Sequence, residues 1–451
     1  MGEHMNVATI VDNHSLESIR MLLSSFKMSS IDDIVVYLIY NCIDTDVILD
    51  IRFFAKKLGY ISNIVECNHS DIDVFRLFNE EPFNNLDRFI FISKDMIVND
   101  HIENIYSSRQ DSRYRIYTTN SIDHYAIMVN NNANDACIEK CKDSNIIVCP
   151  IDDPLLRNAN DYKTLNYWKH VVSYKRRLLA IDNKITFMIE PAVSNNCNLN
   201  CAYCDHCSPI AKRGFYSVNQ YHKDINVLSK LIDDQRVKRY FDFGIQFVGG
   251  EPLLNEELFS LVEETENAFD TSTLTNYVII TNGSLIPKNA DKIVDCLNRF
   301  SNLGLYITKY SLSNIDYDYI FKSIEDRLPS NAKINNYEEK TSFTKTNLNL
   351  NVNRWSKEDG YFNCISKNHC LTMSNGKLYP CSIAGNYVHL KDFFNLEDVE
   401  DCSLNLDECT TVDDFIDFLI GPWEFCKYCR KRDEDCLWHY SNRSKEEWFE
   451  V

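Results

Sequence analysis

Eighteen cysteines occur in 451 residues, and their spacing carries more chemical information than their number. Cys197-Asn-Leu-Asn-Cys201-Ala-Tyr-Cys204 places three thiols on one short segment, separated by three and then two residues. Three thiolates so arranged can hold three irons of a [4Fe-4S] cube and leave the fourth iron open to a substrate or cofactor. They can equally bind zinc, for which thiolate is as good a ligand. Cys207, three residues further on, could close the open position or serve as a packing thiol beside it. A second group, Cys364, Cys370, Cys381, Cys426, Cys429 and Cys436, lies toward the C-terminus, where the Cys426-Lys-Tyr-Cys429 pair also has zinc-ribbon spacing.

The remaining cysteines read as structural. Cys137 and Cys141 stand one helical turn apart in a polar segment, with Cys149 nearby and no partner motif. Cys42, Cys67 and Cys296 fall in apolar contexts that suit a core. Cys402 and Cys409 flank an acidic loop and carry no assignment.

Composition narrows the classes of function. With 44% hydrophobic and 25% charged residues the chain is globular, with apolar content for two or three cores. Its 66 acidic against 47 basic side chains give a net charge of −19, a field that disfavours nucleic acid and anionic membrane as partners. No run of about 18 apolar residues exists, and Met1 to Ile10 lacks a signal pattern. A cytoplasmic location is expected, where free thiols serve metal or redox chemistry rather than disulfides. Glycine is scarce, 12 residues against a typical share of about 7%, and neither G-x-G-x-x-G nor a Walker A sequence occurs.

The elements that must position these groups alternate between strand and helix. Residues 6–150 form one α/β domain: Leu16, Ile19, Leu23 and Phe26 repeat at helical spacing, while Ile34 to Ile39 and Phe89 to Ile92 are apolar strands. A polar linker, 151–184, contains the basic stretch Tyr174-Lys175-Arg176-Arg177. Over 185–330 strands are expected at Ile185 to Glu190, Phe243 to Val248, Tyr277 to Ile280 and Leu303 to Ile307, with helices between them. That repetition indicates a partial (β/α) barrel. Ser217 with Gln220 reads as a capping box opening one of its helices. Residues 331–362, rich in Asn, Lys and Thr, read as a second linker, followed by a separate cysteine-dense module over 363–451.

The triplet Cys197, Cys201 and Cys204, with Tyr203 before its last member, resembles the radical S-adenosylmethionine (SAM) superfamily. Phe247-Val-Gly249-Gly250-Glu251-Pro252 looks like that superfamily's Gly-Gly-Glu segment at the end of the second barrel strand, where backbone and carboxylate meet the SAM ammonium group. Thr281-Asn282-Gly283-Ser284 is similar to the segment near the SAM ribose. The resemblance implies a partial (β/α)6 barrel in which the three cysteines ligate a [4Fe-4S] cluster. Gly249, Gly250, Glu251, Thr281, Asn282 and Gly283 would then bind SAM, with Glu251 as amine anchor. It further implies reductive cleavage of SAM to a 5′-deoxyadenosyl radical that abstracts hydrogen from carbon, the cofactor supplying the hard step.

Cys364-x₁₁-Gly376-x₄-Cys381 followed by Cys426-x₂-Cys429 resembles the auxiliary-cluster extensions of radical SAM enzymes called SPASM and twitch. It implies an auxiliary [4Fe-4S] cluster held by Cys364, Cys381, Cys426 and Cys429, with Cys370 as an alternative to Cys364. Position 440 is Tyr and no cysteine follows Cys436, so the full SPASM pattern is not met. The segment Cys204-Asp205-His206-Cys207-Ser208-Pro209 resembles radical SAM proteins associated with polysaccharide loci, where His206 points at the active site or caps the cluster loop.

The helix His14 to Phe26, the strand Asp33 to Asn41 and the segment Phe89 to Met96 resemble the nucleotide-binding half of inverting glycosyltransferases with a GT-A fold. That family's metal-holding Asp-x-Asp reads Ser93-Lys94-Asp95 here, which implies a degenerate domain that binds a nucleotide, glycan or partner, or one that only packs on the barrel. Lys94 offers a point charge against a pyrophosphate. The expected function is a radical SAM enzyme that oxidises or epimerises a sugar or sugar-nucleotide, served by a flavodoxin or ferredoxin-type reductant. The alternatives are a SPASM-type maturase of a ribosomally made peptide and, outside enzymes, a zinc-bound binding module. No catalytic acid, base or hydrogen donor can be named from these residues.

Overall fold

The computed structural model describes residues 4–28, 33–67, 77–92, 112–118, 125–130, 135–141, 184–310, 313–336, 339–351, 355–367, 369–407, 409–430 and 435–450. The chain divides into two compact units, Met1–Asn183 and Lys184–Val451. Ser93, Lys94, Asp95, Cys149 and the basic stretch Tyr174 to Arg177 lie outside the described residues. Among the described residues no helix is long and apolar enough to cross a membrane.

The first unit builds β1 (Met5–Val11), α1 (Leu16–Met28), β2 (Ile34–Tyr40), α2 (Thr45–Lys57), β3 (Ile61–Glu66), β4 (Arg88–Ile92), β5 (Ser112–Thr118), β6 (Tyr125–Asn130) and β7 (Asp135–Cys141). Their order in the sheet is β3-β2-β1-β4-β6-β5-β7. β1 to β4 pair in parallel, and β2, Ile-Val-Val-Tyr-Leu-Ile-Tyr, is buried along nearly its whole length as a two-faced parallel strand must be. β6 then pairs antiparallel with both β4 and β5, so the sheet is mixed where the sequence pattern suggested a parallel one. Cys137 and Cys141 lie on strand β7 and not on a helix. Cys67 and Cys296 are buried as expected, whereas Cys42 is exposed, on a left-handed turn with φ 55° directly after β2.

The second unit contains β8 (Ile185–Ser194), α3 (Val218–Asp233), α4 (Gln235–Tyr240), β9 (Phe241–Gly249), α5 (Leu258–Ala268), β10 (Tyr277–Thr281), α6 (Ile286–Arg299), β11 (Gly304–Ile307), α7 (Tyr317–Lys322) and β12 (Lys333–Asn336). These five strands are parallel and adjacent in chain order, the barrel arrangement that repeated strand-helix units produce. β13 (Ser342–Thr344), β14 (Asn347–Leu348), α8 (Lys357–Phe362), β15 (Cys370–Ser374), β16 (Lys377–Tyr379), α9 (Ser382–Phe394), β17 (Leu404–Asn405), α10 (Val412–Ile420), β18 (Cys429–Arg430) and β19 (Asp435–Leu437) follow.

Two expectations change here. The stretch read as a linker contributes β12, which pairs with β11 from Gly304↔Lys333 to Ile307↔Asn336. The C-terminal part is not a detached module either, because β15 pairs in parallel with β8 and extends the barrel sheet to β12-β11-β10-β9-β8-β15-β16-β17. Asn375 and Gly376, with φ of 48° and 82°, make the two-residue turn between β15 and β16. The buried Asp224 of α3 fastens that turn. It accepts hydrogen bonds from Gly376 N at 2.7 Å, from Gln220 Nε2 at 2.7 Å and from the Tyr216 hydroxyl. Gln220 is therefore spent on Asp224, and Ser217 caps α3 alone through Gln220 N instead of in a reciprocal box.

Candidate active site

The loop after β8 carries Cys197, Cys201 and Cys204. Asn200, Tyr203 and Cys207 take left-handed backbone conformations, with φ of 57°, 59° and 50°. Such residues are costly outside glycine, and the C-terminal segment holds them in place. Ala202 N donates to His439 O and Ser441 N to Asn200 O, both at 2.9 Å. Trp448 Nε1 donates to Cys204 O at 2.9 Å, and Thr346 Oγ1 to Asp205 Oδ1 at 2.9 Å. The loop is also clamped from the barrel side, where Gly250 N reaches Ser194 O at 2.5 Å and Glu251 N reaches Asn196 O at 2.7 Å. A Cβ would sit 2.5 Å from Ser194 O at position 249 and 1.9 Å from Asn196 O at position 250. Both glycines are thus required for contact between strand end and loop, in addition to any ligand they meet.

The three thiols face one cavity of about 370 Å³. Burial pushes Cys197 and Cys201 each up to about 12 and raises Cys204 as well. Buried thiolates at such positions need a compensating cation, which coordinated iron would supply while displacing the protons. The sulfur surroundings suit that state. Leu199 N lies 3.5 Å and Asn282 Nδ2 3.8 Å from Cys197 Sγ, while the buried Trp438 Nε1–H has no full hydrogen-bond partner and faces Cys201. N–H groups directed at sulfur are the environment of iron–sulfur ligands.

The remaining sequence-predicted residues gather at the same strand ends, with one change of role. Gly249 and Gly250 line the cavity. Glu251 does not: it is buried, and its carboxylate accepts from Thr281 Oγ1 at 2.6 Å, Leu253 N at 3.2 Å and Asn282 N at 2.9 Å. Burial raises its pKa to about 7 despite those three donors. Glu251 therefore acts on the protein, tying the end of β9 to the end of β10. Asn282 passes the constraint on, since its Nδ2 donates to Asn198 Oδ1 of the cysteine loop at 2.8 Å. Gly283, with φ 83°, donates its N–H to Thr281 Oγ1 at 3.0 Å and closes the turn.

The same cavity is lined by Cys364, Cys370, Cys381 and Cys429. Cys364 follows α8, Cys381 occupies the N-cap of α9, and Cys426 and Cys429 sit at a short helical turn and on β18. Desolvation, with Cys381 and Cys364 nearby, raises the thiol of the half-buried Cys426. Cys207 is fully buried in an apolar core with Ile383, Tyr387, Cys429 and Trp448, which makes it a packing thiol. Cys436 pairs with Phe343 across β19 and β13 and does not line the cavity. His206 does line it, with a buried Nδ1 that has no hydrogen-bond partner.

Several cavity residues escaped the sequence. Glu190, 7% exposed, lies on β8 and accepts from Ser382 Oγ at 2.8 Å. His369, just before β15, and Lys340, whose ammonium stands 4.7 Å from the Phe343 ring centre, complete the wall. The available signal was Glu190 itself, a carboxylate within an apolar strand that is buried on both faces.

The Radical SAM superfamily profile matches residues 192–309. A GTP 3′,8-cyclase of Sinorhizobium medicae is 24% identical over 138 residues, which cover 28% of this chain and 37% of that protein. The radical SAM cyclopropyl synthase TigE of Paramaledivibacter caminithermalis is 31% identical over 136 residues, 28% of each chain. The chain thus spans about a third of the length of these curated relatives. Among solved structures, the galactosyltransferase LgtC matches 28% of this chain and 58% of its own at 12% identity, with a TM-score of 0.24.

Proposed function

We propose that this chain, whose residues 192–309 form a radical SAM domain, is an enzyme that removes a hydrogen atom from a carbon of a sugar or sugar-nucleotide and oxidises it, with epimerisation as the outcome where the radical is reduced again. One observation carries this reading: the cluster-loop thiols, the C-terminal thiols Cys364, Cys370, Cys381 and Cys429, and Glu190 line a single cavity. SAM bound at an iron–sulfur cluster supplies one-electron chemistry able to take hydrogen from an unactivated carbon. Cys197, Cys201 and Cys204 would hold that cluster, and Gly249 and Gly250 would form the adjoining wall. Glu251, Thr281 and Asn282 keep both segments in register. The C-terminal thiols would hold an auxiliary cluster across the cavity, where the second electron of an oxidation can go.

The substrate class draws support from two directions. The relatives named GTP 3′,8-cyclase act, by their name, on a nucleotide. The first unit reverses its strand order between β1 and β4, and crevices at such points in parallel sheets are common ligand sites. We read that unit as a degenerate GT-A-like domain that helps hold a sugar-nucleotide. A flavodoxin or ferredoxin-type protein in the cytoplasm would deliver the electrons.

The test is anaerobic turnover of the reconstituted full chain with SAM and a one-electron reductant, against UDP- and CDP-sugars and against short peptides. Formation of 5′-deoxyadenosine together with a sugar-nucleotide lacking two hydrogens, or with inverted stereochemistry, is expected. Turnover of a peptide alone would replace the sugar reading with peptide maturation. For Glu251→Ala, SAM binding should weaken indirectly while the fold loses roughly 1–3 kcal/mol, the cost of leaving a buried donor at the strand ends unsatisfied. Because Glu251 acts through the strand ends, the thermal midpoint should fall with it while iron content stays. Unchanged SAM affinity would remove Glu251 from the site.

A further inference from the structure

A stretch of chain that pairs with the cysteine loop also reaches the surface. We propose that the surface around Leu437 and Tyr440 is the docking face for the protein that reduces the cluster of Cys197, Cys201 and Cys204, a small acidic carrier with a flavin or iron–sulfur group near its own surface. This rests on the reading of that loop as a cluster site and needs neither the auxiliary cluster nor the sugar substrate.

Backbone pairing brings this surface to the loop. The bonds from Ala202 N to His439 O and from Ser441 N to Asn200 O flank an antiparallel bridge between Cys201 and Tyr440. Tyr440 therefore stands directly opposite a cluster-loop cysteine, yet it is 52% exposed. Its ring centre lies 5.1 Å from that of Trp438, which is 2% exposed and packs with Cys201 and Leu199 in one apolar core. Two aromatic rings in contact thus lead from solvent to Cys201. His439, between them in sequence, sets its ring 5.4 Å from that of Tyr203 and steadies the same loop.

The surface itself suits a transient protein partner. Leu437, at the end of β19, is 80% exposed, the most exposed large apolar side chain among the described residues. Three residues of chain, at most about 10 Å, separate it from Tyr440, so both fall within the roughly 600 Å² per partner that a weak redox complex buries. From Leu437 to Lys445 the chain carries two cations, the exposed Arg443 and Lys445, and no carboxylate, in a molecule of net charge −19. An acidic carrier is repelled by the molecule as a whole and met by opposite charge here, which orients its approach. One electron leaves the carrier's reduced group and enters the site of Cys197, Cys201 and Cys204, and no atom is transferred.

The test compares 5′-deoxyadenosine formation by the anaerobically reconstituted full chain with dithionite, with a pre-reduced flavodoxin and with a pre-reduced ferredoxin. Leu437→Glu combined with Tyr440→Asp should raise the half-saturating concentration of the carrier that drives the wild-type chain roughly tenfold. Dithionite-driven cleavage should stay within about twofold, with iron content unchanged. Leu437→Glu alone, at so exposed a side chain, should show the same direction of effect even if the double variant loses iron. Arg443→Glu should weaken carrier use most at low salt, as a screened charge contact does. Undiminished carrier-driven cleavage in the Leu437 and Tyr440 variants would overturn the docking face. An equal loss with dithionite would also overturn it, because these residues would then only support the cysteine loop. Dithionite-driven cleavage by a wild-type chain that neither protein can reduce would overturn the partner class and the face together. A wild-type chain that forms no 5′-deoxyadenosine with any of the three would instead bring down the cluster reading, and this proposal with it.

Discussion

Alanine at Cys197, Cys201 and Cys204 together should remove about half of the iron from the anaerobically reconstituted protein, about four of about eight atoms, and abolish reductive cleavage of SAM. The loss should be complete because the three ligands share one loop and all three are removed together. Cys207, the nearest in sequence, is fully buried in the core shared with Ile383 and Trp448. Cys364, Cys370, Cys381 and Cys429 line the same cavity but belong to other chain segments. Iron and sulfide analysis with 5′-deoxyadenosine quantification checks both halves of the expectation. Full retention of iron would mean that the loop is not a cluster site. Zinc found with a single iron–sulfur spectrum would return the C-terminal thiols to a structural role and remove the electron acceptor.

Glu190→Gln is expected to lower substrate turnover by roughly 10²–10⁴, the range for loss of a positioned proton acceptor, while substrate-free SAM cleavage stays within about twofold. Oxidation of a carbon after hydrogen abstraction releases a proton together with the second electron. Glu190 lines the cavity that both sets of thiols line, is 7% exposed, and is aimed by Ser382 Oγ at 2.8 Å. Glutamine keeps the size and the acceptor for Ser382 but cannot take the proton. Normal iron content and SAM affinity in the variant would separate this role from misfolding. Undiminished turnover would remove Glu190 from the reaction and leave His369 or His206, which line the same cavity, as the groups to examine next.

The residues that the sequence identified without help are those whose partners are local. Cys197, Cys201 and Cys204 share one loop, so their spacing alone brings three thiols to one place, and the left-handed turns at Asn200 and Tyr203 only orient the loop that carries them. Gly249 to Glu251 and Thr281 to Gly283 follow strands whose apolar runs are plain, and parallel strands put such ends on one side of a barrel.

Only the tertiary structure decided the rest. The pairing of β15 with β8 joins residues 370–373 to 188–191 and sews the cysteine-rich segment into the barrel sheet. Its register follows from packing between distant residues, which leaves no periodic trace in either segment. The strands between 333 and 348 are two to four residues long, too short for alternation to rise above a polar composition. Glu251 reads as a ligand contact by motif, yet three donors from its own chain surround its carboxylate. Trp438 carries no motif at all and joins Cys201 in one core where residues 439–441 pair with 200–202. Spacing specifies chemistry where the chain closes on itself within a few residues; where ligands arrive from separate segments, long-range strand pairing and core packing determine which side chains meet.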